Sequence, residues 1–251
     1  MAGTGFVNFG LIVIGDEILS GRRRDRHVEF FRGLLAGHGH ALHWVQILPD
    51  DPALLTGRLR QTMDEGKPVF SCGGIGATPD DHTRRCAAEA AGVPLVRHAE
   101  AERLIVERFG DAARPHRVRM ADLPEGATLI PNPVNQVPGF AIREHHFLPG
   151  FPDMVHPMAR WVLENRYVDG QAPAVERSLR VPGVSENELM NLMQELQGAW
   201  LGLKLFSLPR RGEQNFVELG FHGPRAEVEK AFSQLQERLE TMGLAFETDQ
   251  P

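Results

Sequence analysis

The chain has 251 residues, 42% apolar and 24% charged, with a formal charge of −6 from 27 basic and 33 acidic side chains. A charge of that sign argues against a broad electrostatic surface for nucleic acid, and no run approaches the ~20 apolar residues that cross a bilayer. Cys72 and Cys86 are the only cysteines, which excludes a disulfide framework or a four-cysteine zinc site.

Residues 9–14 are a nearly continuous apolar run, the pattern of a strand buried on both faces of a parallel sheet. The run ends in Gly15-Asp16-Glu17-Ile18-Leu19-Ser20-Gly21, where two glycines bracket two acids and a serine at a strand end. Such loops carry ligands in α/β sheets. Arg22, Arg23, Arg24 and Arg26 follow, either as a solvated helix start or as a source of one or two arginines for a ligand phosphate. Apolar residues at helical spacing predict a helix over 27–36, and alternation predicts a strand over 41–48. Pro49-Asp50-Asp51-Pro52 then opens a helix over 53–65; Asp50 is either its cap or a functional acid at the strand edge.

The densest signal comes next. Residues 69–71 read as a strand that runs into Cys72-Gly73-Gly74-Ile75-Gly76-Ala77-Thr78-Pro79-Asp80-Asp81, with an alanine-rich helix over 82–91. Thr78 suits an N-cap, Pro79 the first helical position, and Asp81 the third position after the cap. Three glycines permit a tight turn, and a helix N-terminus behind them favours a phosphate or carboxylate. Asp80 and Asp81 would repel a phosphate unless a divalent cation such as Mg²⁺ lay between them. Alternatively, they only cap the helix. Cys72, beside this turn, reads as a small buried thiol rather than a nucleophile.

The β-α-β-α-β-α order predicts a mostly parallel sheet with right-handed crossovers. Helices are expected over 99–109 and 115–121, short strands over 128–130, 140–142 and 146–148, and a helix from Pro152 to about residue 165. The Asn- and Pro-rich stretch over 132–140 is a loop. The histidines show no metal-binding spacing. A linker is expected at residues 169–173. Beyond it, strands over 175–181, 201–208, 215–221 and 244–248, helices over 185–197 and 225–242, and a turn over 209–212 give a β-α-β-β-α-β order. That order matches a ferredoxin-like arrangement, with Ser185 and Glu188 forming a capping box. The fold class is therefore a doubly wound α/β domain over 1–170 and a small α+β domain over 171–251. No basic region followed by an apolar core opens the chain, so a cytoplasmic location is expected.

Four motifs in order resemble the molybdopterin-binding (MoaB/Mog-type) domain, in the version found at the N-terminus of the CinA competence/damage-inducible family. They are Gly15 to Gly21; Cys72 to Asp81; Asn132-Pro133-Val134 with Pro138-Gly139-Phe140; and Leu148-Pro149-Gly150-Phe151-Pro152 with Met154. The resemblance covers about residues 9–167 and implies a ligand at the C-terminal edge of the sheet. It implies molybdopterin as a possible ligand, as in the Mog-like relatives. CinA-type relatives point instead to metal-dependent hydrolysis of a nucleotide diphosphate such as ADP-ribose. On this basis the ligand-binding residues are Gly15, Asp16, Ser20, Gly21, Gly73, Gly74, Ile75, Gly76, Thr78, Asn132, Pro133 and Gly150. Asp80 and Asp81 are the expected metal ligands, and Asp50, Asp81 and Glu17 the expected catalytic acids. Self-association as a dimer or trimer is also implied. An interaction module with neither activity is the third reading.

The chain departs from the family at three places. Cys72 replaces a threonine, Asp25-Arg26-His27 stands where Asn-Thr-Asn is usual, and Asn135 replaces a glycine. CinA proteins also carry a C-terminal amidohydrolase domain, for which 251 residues leave no room, so deamidation is not expected.

Overall fold

Strand β1, Asn8–Ile14, is an inner strand of the first sheet, and its residues from Phe9 onward are buried on both faces. A computed structural model of the protein describes residues 7–167, 175–210 and 215–248. The chain divides into two units, residues 1–171 and 172–251. The expected linker at 169–173 and residues 211 and 212 of the expected turn lie outside the described residues.

In the first unit β1 lies between β2 (Ala41–Leu48) and β3 (Val69–Cys72), which also pairs with β8 (His145–Leu148), all in parallel. Strands β7 (Gly139–Ile142) and β6 (Thr128–Ile130) continue the sheet antiparallel, giving the order β2-β1-β3-β8-β7-β6. The parallel register aligns four strand ends: Ile14 is level with Leu48, Val13 with Cys72, and Cys72 with Leu148. Hydrogen bonds from Gly15 N–H to the Leu48 carbonyl (3.1 Å) and from Gly73 N–H to the Leu148 carbonyl (3.0 Å) carry the ladders one step further. The chain leaves β1 toward β2 on one side and reaches β3 on the other. Such a switch opens a crevice at the carboxyl ends of the strands.

Helices cover both faces. One face packs Leu55, Leu59 and Met63 of α3 (Pro52–Asp64), alanines of α4 (Thr83–Ala91) and Ile105 of α5 (Ala99–Phe109) against Ile12, Val69 and Phe147. The other packs Phe31 and Leu35 of α2 (His27–Gly37) and Val155, Met158 and Val162 of α6 (Pro152–Arg166) against Phe9, Leu11 and Phe70. Cys72 is buried in that second core, and burial pushes its thiol far above the ordinary range, as suits an inert packing group.

Within the first unit the sequence reading needs four local corrections. Helix α4 begins at Thr83, so Asp80 and Asp81 lie in a turn before it. Residues Gly15 to Ser20 are not all loop, because Asp16–Leu19 form a single helical turn, α1. Residues 115–121 hold a 3₁₀ turn, Arg117–Ala121, instead of an α-helix, and a second 3₁₀ turn spans Gly110–Ala113. A two-stranded ribbon of β4 (Leu95–Arg97) and β5 (Asp122–Pro124) was not anticipated. It draws residues 117–124 back beside α4.

In the second unit β9 (Val175–Pro182), β10 (Lys204–Arg210), β11 (Phe216–Gly223) and β12 (Glu247–Thr248) form an antiparallel sheet in the order β10-β11-β9-β12. Helices α7 (Glu186–Ala199) and α8 (Arg225–Thr241) bury Leu192, Leu196, Phe232 and Leu235 against Leu179, Val181, Leu219 and Phe221. The Ser185/Glu188 capping box is present. Among the described residues no helix is long and apolar enough to cross a membrane.

Candidate functional site

A cleft of about 430 Å³ opens where the aligned strand ends release their loops. Gly15 and Glu17 reach it from β1, Asp50 from β2, Gly73 to Asp81 from β3, and Pro149 and Gly150 from β8.

The turn after β3 has no room for side chains at its glycines. A Cβ at Gly73 (φ +112°) would stand 2.4 Å from the Ile14 carbonyl oxygen, and one at Gly74 (φ +67°) 2.2 Å from Thr83 Oγ1. Thr83 binds the turn from the helix side: its N–H donates to the Gly74 carbonyl and its hydroxyl to the Gly73 carbonyl, both at 3.0 Å. Among the described residues, the N–H groups of Gly74, Ile75, Gly76 and Ala77 donate to no other group of the chain. Successive free N–H groups in such a turn make an anion-binding concavity.

The acids are arranged differently from the sequence expectation. Asp81 Oδ2 accepts from Thr78 N–H (2.8 Å) and from the Thr78 hydroxyl (2.5 Å), so the two residues close a turn of their own. Asp80 is exposed, and the nearby Thr78 hydroxyl and its own N–H hold its carboxyl below the ordinary range. Asp51, not Asp50, caps α3 by accepting from Leu54 N–H at 2.8 Å. Asp50 instead accepts from Asp16 N–H at 3.1 Å. Partial burial pushes the Asp50 carboxyl upward, and the charges of Asp16, Glu17 and Asp80 push it the same way.

Twelve of the expected residues line the cleft: Gly15, Glu17, Asp50, Gly73, Gly74, Ile75, Gly76, Thr78, Asp80, Asp81, Asn132 and Gly150. Asp16, Ser20, Gly21 and Pro133 do not. Asp16 acts through its N–H on Asp50, and the Ser20 hydroxyl accepts from Arg22 Nε at 3.2 Å. Of the arginine cluster, Arg23 reaches the cleft, 3.8 Å from Glu17. In the departing Asp25-Arg26-His27 stretch, Asp25 accepts from the N–H groups of His27 and Val28, both at 3.0 Å, and so starts α2. His27 is buried, and its Nε2 lies 3.3 Å from the Gly150 carbonyl. Asn135 Oδ1 accepts from Asn132 Nδ2 (2.8 Å) and from Val137 N–H (3.0 Å), which ties the loop to itself. Among the described residues no three His, Cys, Asp or Glu side chains converge to hold a metal ion by themselves.

Sequence reasoning missed the apolar wall of Phe109, Met120, Val137, Phe151 and Met154. It also missed Arg84, which is buried in α4. Arg84 Nη2 donates to the Gly76 carbonyl (2.7 Å), and Nη1 donates to the carbonyls of Asp122 (3.2 Å) and Arg119. A signal existed: Arg84 shares a helical face with Ala87, Ala88 and Ala91, the buried side of α4.

Residues 10–168 match the family described as a probable molybdopterin binding domain. A protein of Pyrobaculum aerophilum is 28% identical over 247 residues, which cover 91% of each chain. A CinA-like protein of Syntrophotalea carbinolica is 32% identical over 190 residues, covering 72% of this chain and 46% of that protein. The chain thus spans about half the length of the CinA-like relatives it matches. The solved structure of CinA from Thermoplasma acidophilum superposes with a TM-score of 0.58 at 28% identity, over 63% of this chain and 98% of that one. With the match running from β1 through α6, over the strands and loops that build the cleft, the chain belongs to the molybdopterin-binding (MoaB/Mog-like) domain family and resembles CinA.

Proposed function

We propose that the chain binds a phosphorylated small molecule carrying a fused or nucleotide-like ring, with molybdopterin as the first candidate. The observation that carries this reading is the free N–H row at Gly74, Ile75, Gly76 and Ala77 in the same cleft as an apolar wall. The N–H groups suit phosphate oxygens. Phe109, Met120, Val137 and Met154 suit a flat ring, since aromatic and thioether surfaces stack on such systems. The family membership supports molybdopterin, and a cytoplasmic location agrees with that role.

A second reading is favoured by the upward shift of Asp50 among Asp16, Glu17 and Asp80. A cleft this acidic repels a phosphate unless a cation is shared. The residues present fit a hard divalent ion such as Mg²⁺, which takes one or two carboxylates and completes its shell with water and phosphate oxygens. Asp80 and Asp81 would hold it. Asp50 or Glu17 would then orient or deprotonate a water, with Arg23 opposing charge on the phosphates. In this reading the protein is a metal-dependent pyrophosphatase acting on ADP-ribose or a similar dinucleotide.

A panel of ADP-ribose, FAD, NAD and a molybdopterin preparation, with and without Mg²⁺, Mn²⁺ or Co²⁺, separates the two readings. Melting shifts report binding, and chromatography reports products. A shift with molybdopterin and no product supports the binding protein. AMP formed only with metal supports the enzyme. Silence across the panel overturns both and leaves an interaction module. Light scattering on the same samples tests for the dimer or trimer expected from the family.

A further inference from the structure

Arg84 is 8% exposed, and among the described residues its guanidinium forms no direct ion pair, the carboxylates of Asp122 and Asp81 acting on it only from farther away. Burying a charge is costly unless hydrogen bonds satisfy it. Here the bonds go to backbone carbonyls only, on two separate segments: Gly76 on one side, Arg119 and Asp122 on the other. Both segments line the cleft, the first with the glycine turn and the second with Met120.

The consequence follows from peptide geometry. A trans peptide is planar, and its carbonyl and the following N–H point in opposite directions. Holding the Gly76 carbonyl fixes the plane between Gly76 and Ala77 and turns the Ala77 N–H away from Arg84. A Cβ at Gly76 would stand 2.5 Å from Asp81 Oδ2, so the Thr78/Asp81 turn packs against the same residue. The plane is thus gripped from two sides. The other arm of the fork fixes the distance between the turn and the 119–122 segment. The charge is set behind the N–H row, where a cation adds to its attraction for anions.

We propose that Arg84 is a positioning residue of this site: it orients the Ala77 N–H, the last of the free N–H row, for phosphate and sets the span between that row and the wall carrying Met120. The proposal rests on the phosphate-binding reading above. The test compares the full chain with Arg84→Met, which keeps the bulk and removes the charge and fork, and with Arg84→Lys, which keeps the charge alone. Calorimetry with inorganic pyrophosphate and with ADP-ribose, each with Mg²⁺, gives affinity. Amide hydrogen exchange in the absence of ligand reports on the turn.

The expected result is pyrophosphate binding about tenfold or more weaker in Arg84→Met, with Arg84→Lys between that variant and the parent. Exchange at Thr83, whose N–H donates to the Gly74 carbonyl, and across residues 119–122 is expected to quicken in both variants, with the core strands unchanged. Arg84→Lys supplies the folded comparison if Arg84→Met does not fold. Parent-like affinity in the folded variants overturns the proposal, even if they melt lower. If the parent binds no phosphate compound, the phosphate-binding reading fails by itself. Exchange then decides for Arg84: unchanged rates at Thr83 and across residues 119–122 overturn its positioning role, and quickened rates keep it.

Discussion

Asp81 and Asp50 are both acids at strand ends, but their neighbours give them opposite character. Asp81 is held by Thr78 through two hydrogen bonds to one oxygen, Oδ2, which leaves Oδ1 for a ligand. Asp81→Asn keeps an acceptor for the Thr78 N–H, so the stability loss should be about 1 kcal/mol or less. Metal-supported binding in the panel should fall far more. Paired melting and binding curves check this, and a melting loss with intact binding would reduce Asp81 to a turn former. Asp50 carries an upward-shifted carboxyl. An acid raised in the folded state contributes stability below its unfolded value and loses it as pH rises through the folded value. At neutral pH the ionised Asp50 therefore opposes folding. Asp50→Asn should melt higher than the parent near pH 7, with the difference vanishing near pH 4, and should lose metal-supported binding. Melts from pH 4 to 8 decide it. The pair also shows where sequence reading stops. Asp50 and Asp51 are adjacent and chemically identical, and only the fold assigns the cap to one and the cleft to the other.

Strand β8 shows the same limit at the level of an element. Its short apolar register was legible, but nothing local says what His145 and His146 do. Alternation along the strand sends them to opposite faces. His145 Nε2 meets Thr62 Oγ1 of α3 at 2.8 Å, and His146 Nε2 meets the Tyr167 hydroxyl at 2.8 Å, which in turn donates to Glu144 at 3.0 Å. Burial pulls His145 down to about 4 and His146 to about 3. A histidine lowered in the folded state contributes stability above its unfolded value of 6.5, and that stability is lost as pH falls toward the folded value. Stability should therefore decline from about pH 6.5 toward pH 4, with β8 and α6 opening together. Urea titrations across that range should show the decline, and His146→Gln should flatten it. A parent with no such slope would refute the account. The junction before α4 failed in an informative way. Thr78 and Asp81 do satisfy each other as a capping pair does, so the local chemistry was read correctly. The turn they close stops before the helix, because Gly74 and Thr83 set the true start.

For the whole molecule, periodicity carried most of the fold: buried strands read as apolar runs, helices as stripes, and the second unit as an alternating order of both. The cleft's apolar wall was not legible, because Phe109 and Met120 come from the end of α5 and a 3₁₀ turn, where no period marks them. Each unit closes its own core, one spanning β1 to α6 and the other β9 to Phe246. Residues 1–171 and 172–251 made separately should each melt cooperatively, and the first alone should reproduce the ligand shifts. Loss of those shifts in a cooperatively melting 1–171 would refute the assignment of the cleft to that unit alone. The neighbours β3 and β8 meet only after all of α4 to β7 has been placed between them. Closing so long a connection makes this pairing a slow, late event. During synthesis the glycine turn is therefore made early and stays without its opposite wall until Gly150 has left the ribosome. A ligand can act as a folding template only for the finished unit, not for the growing chain.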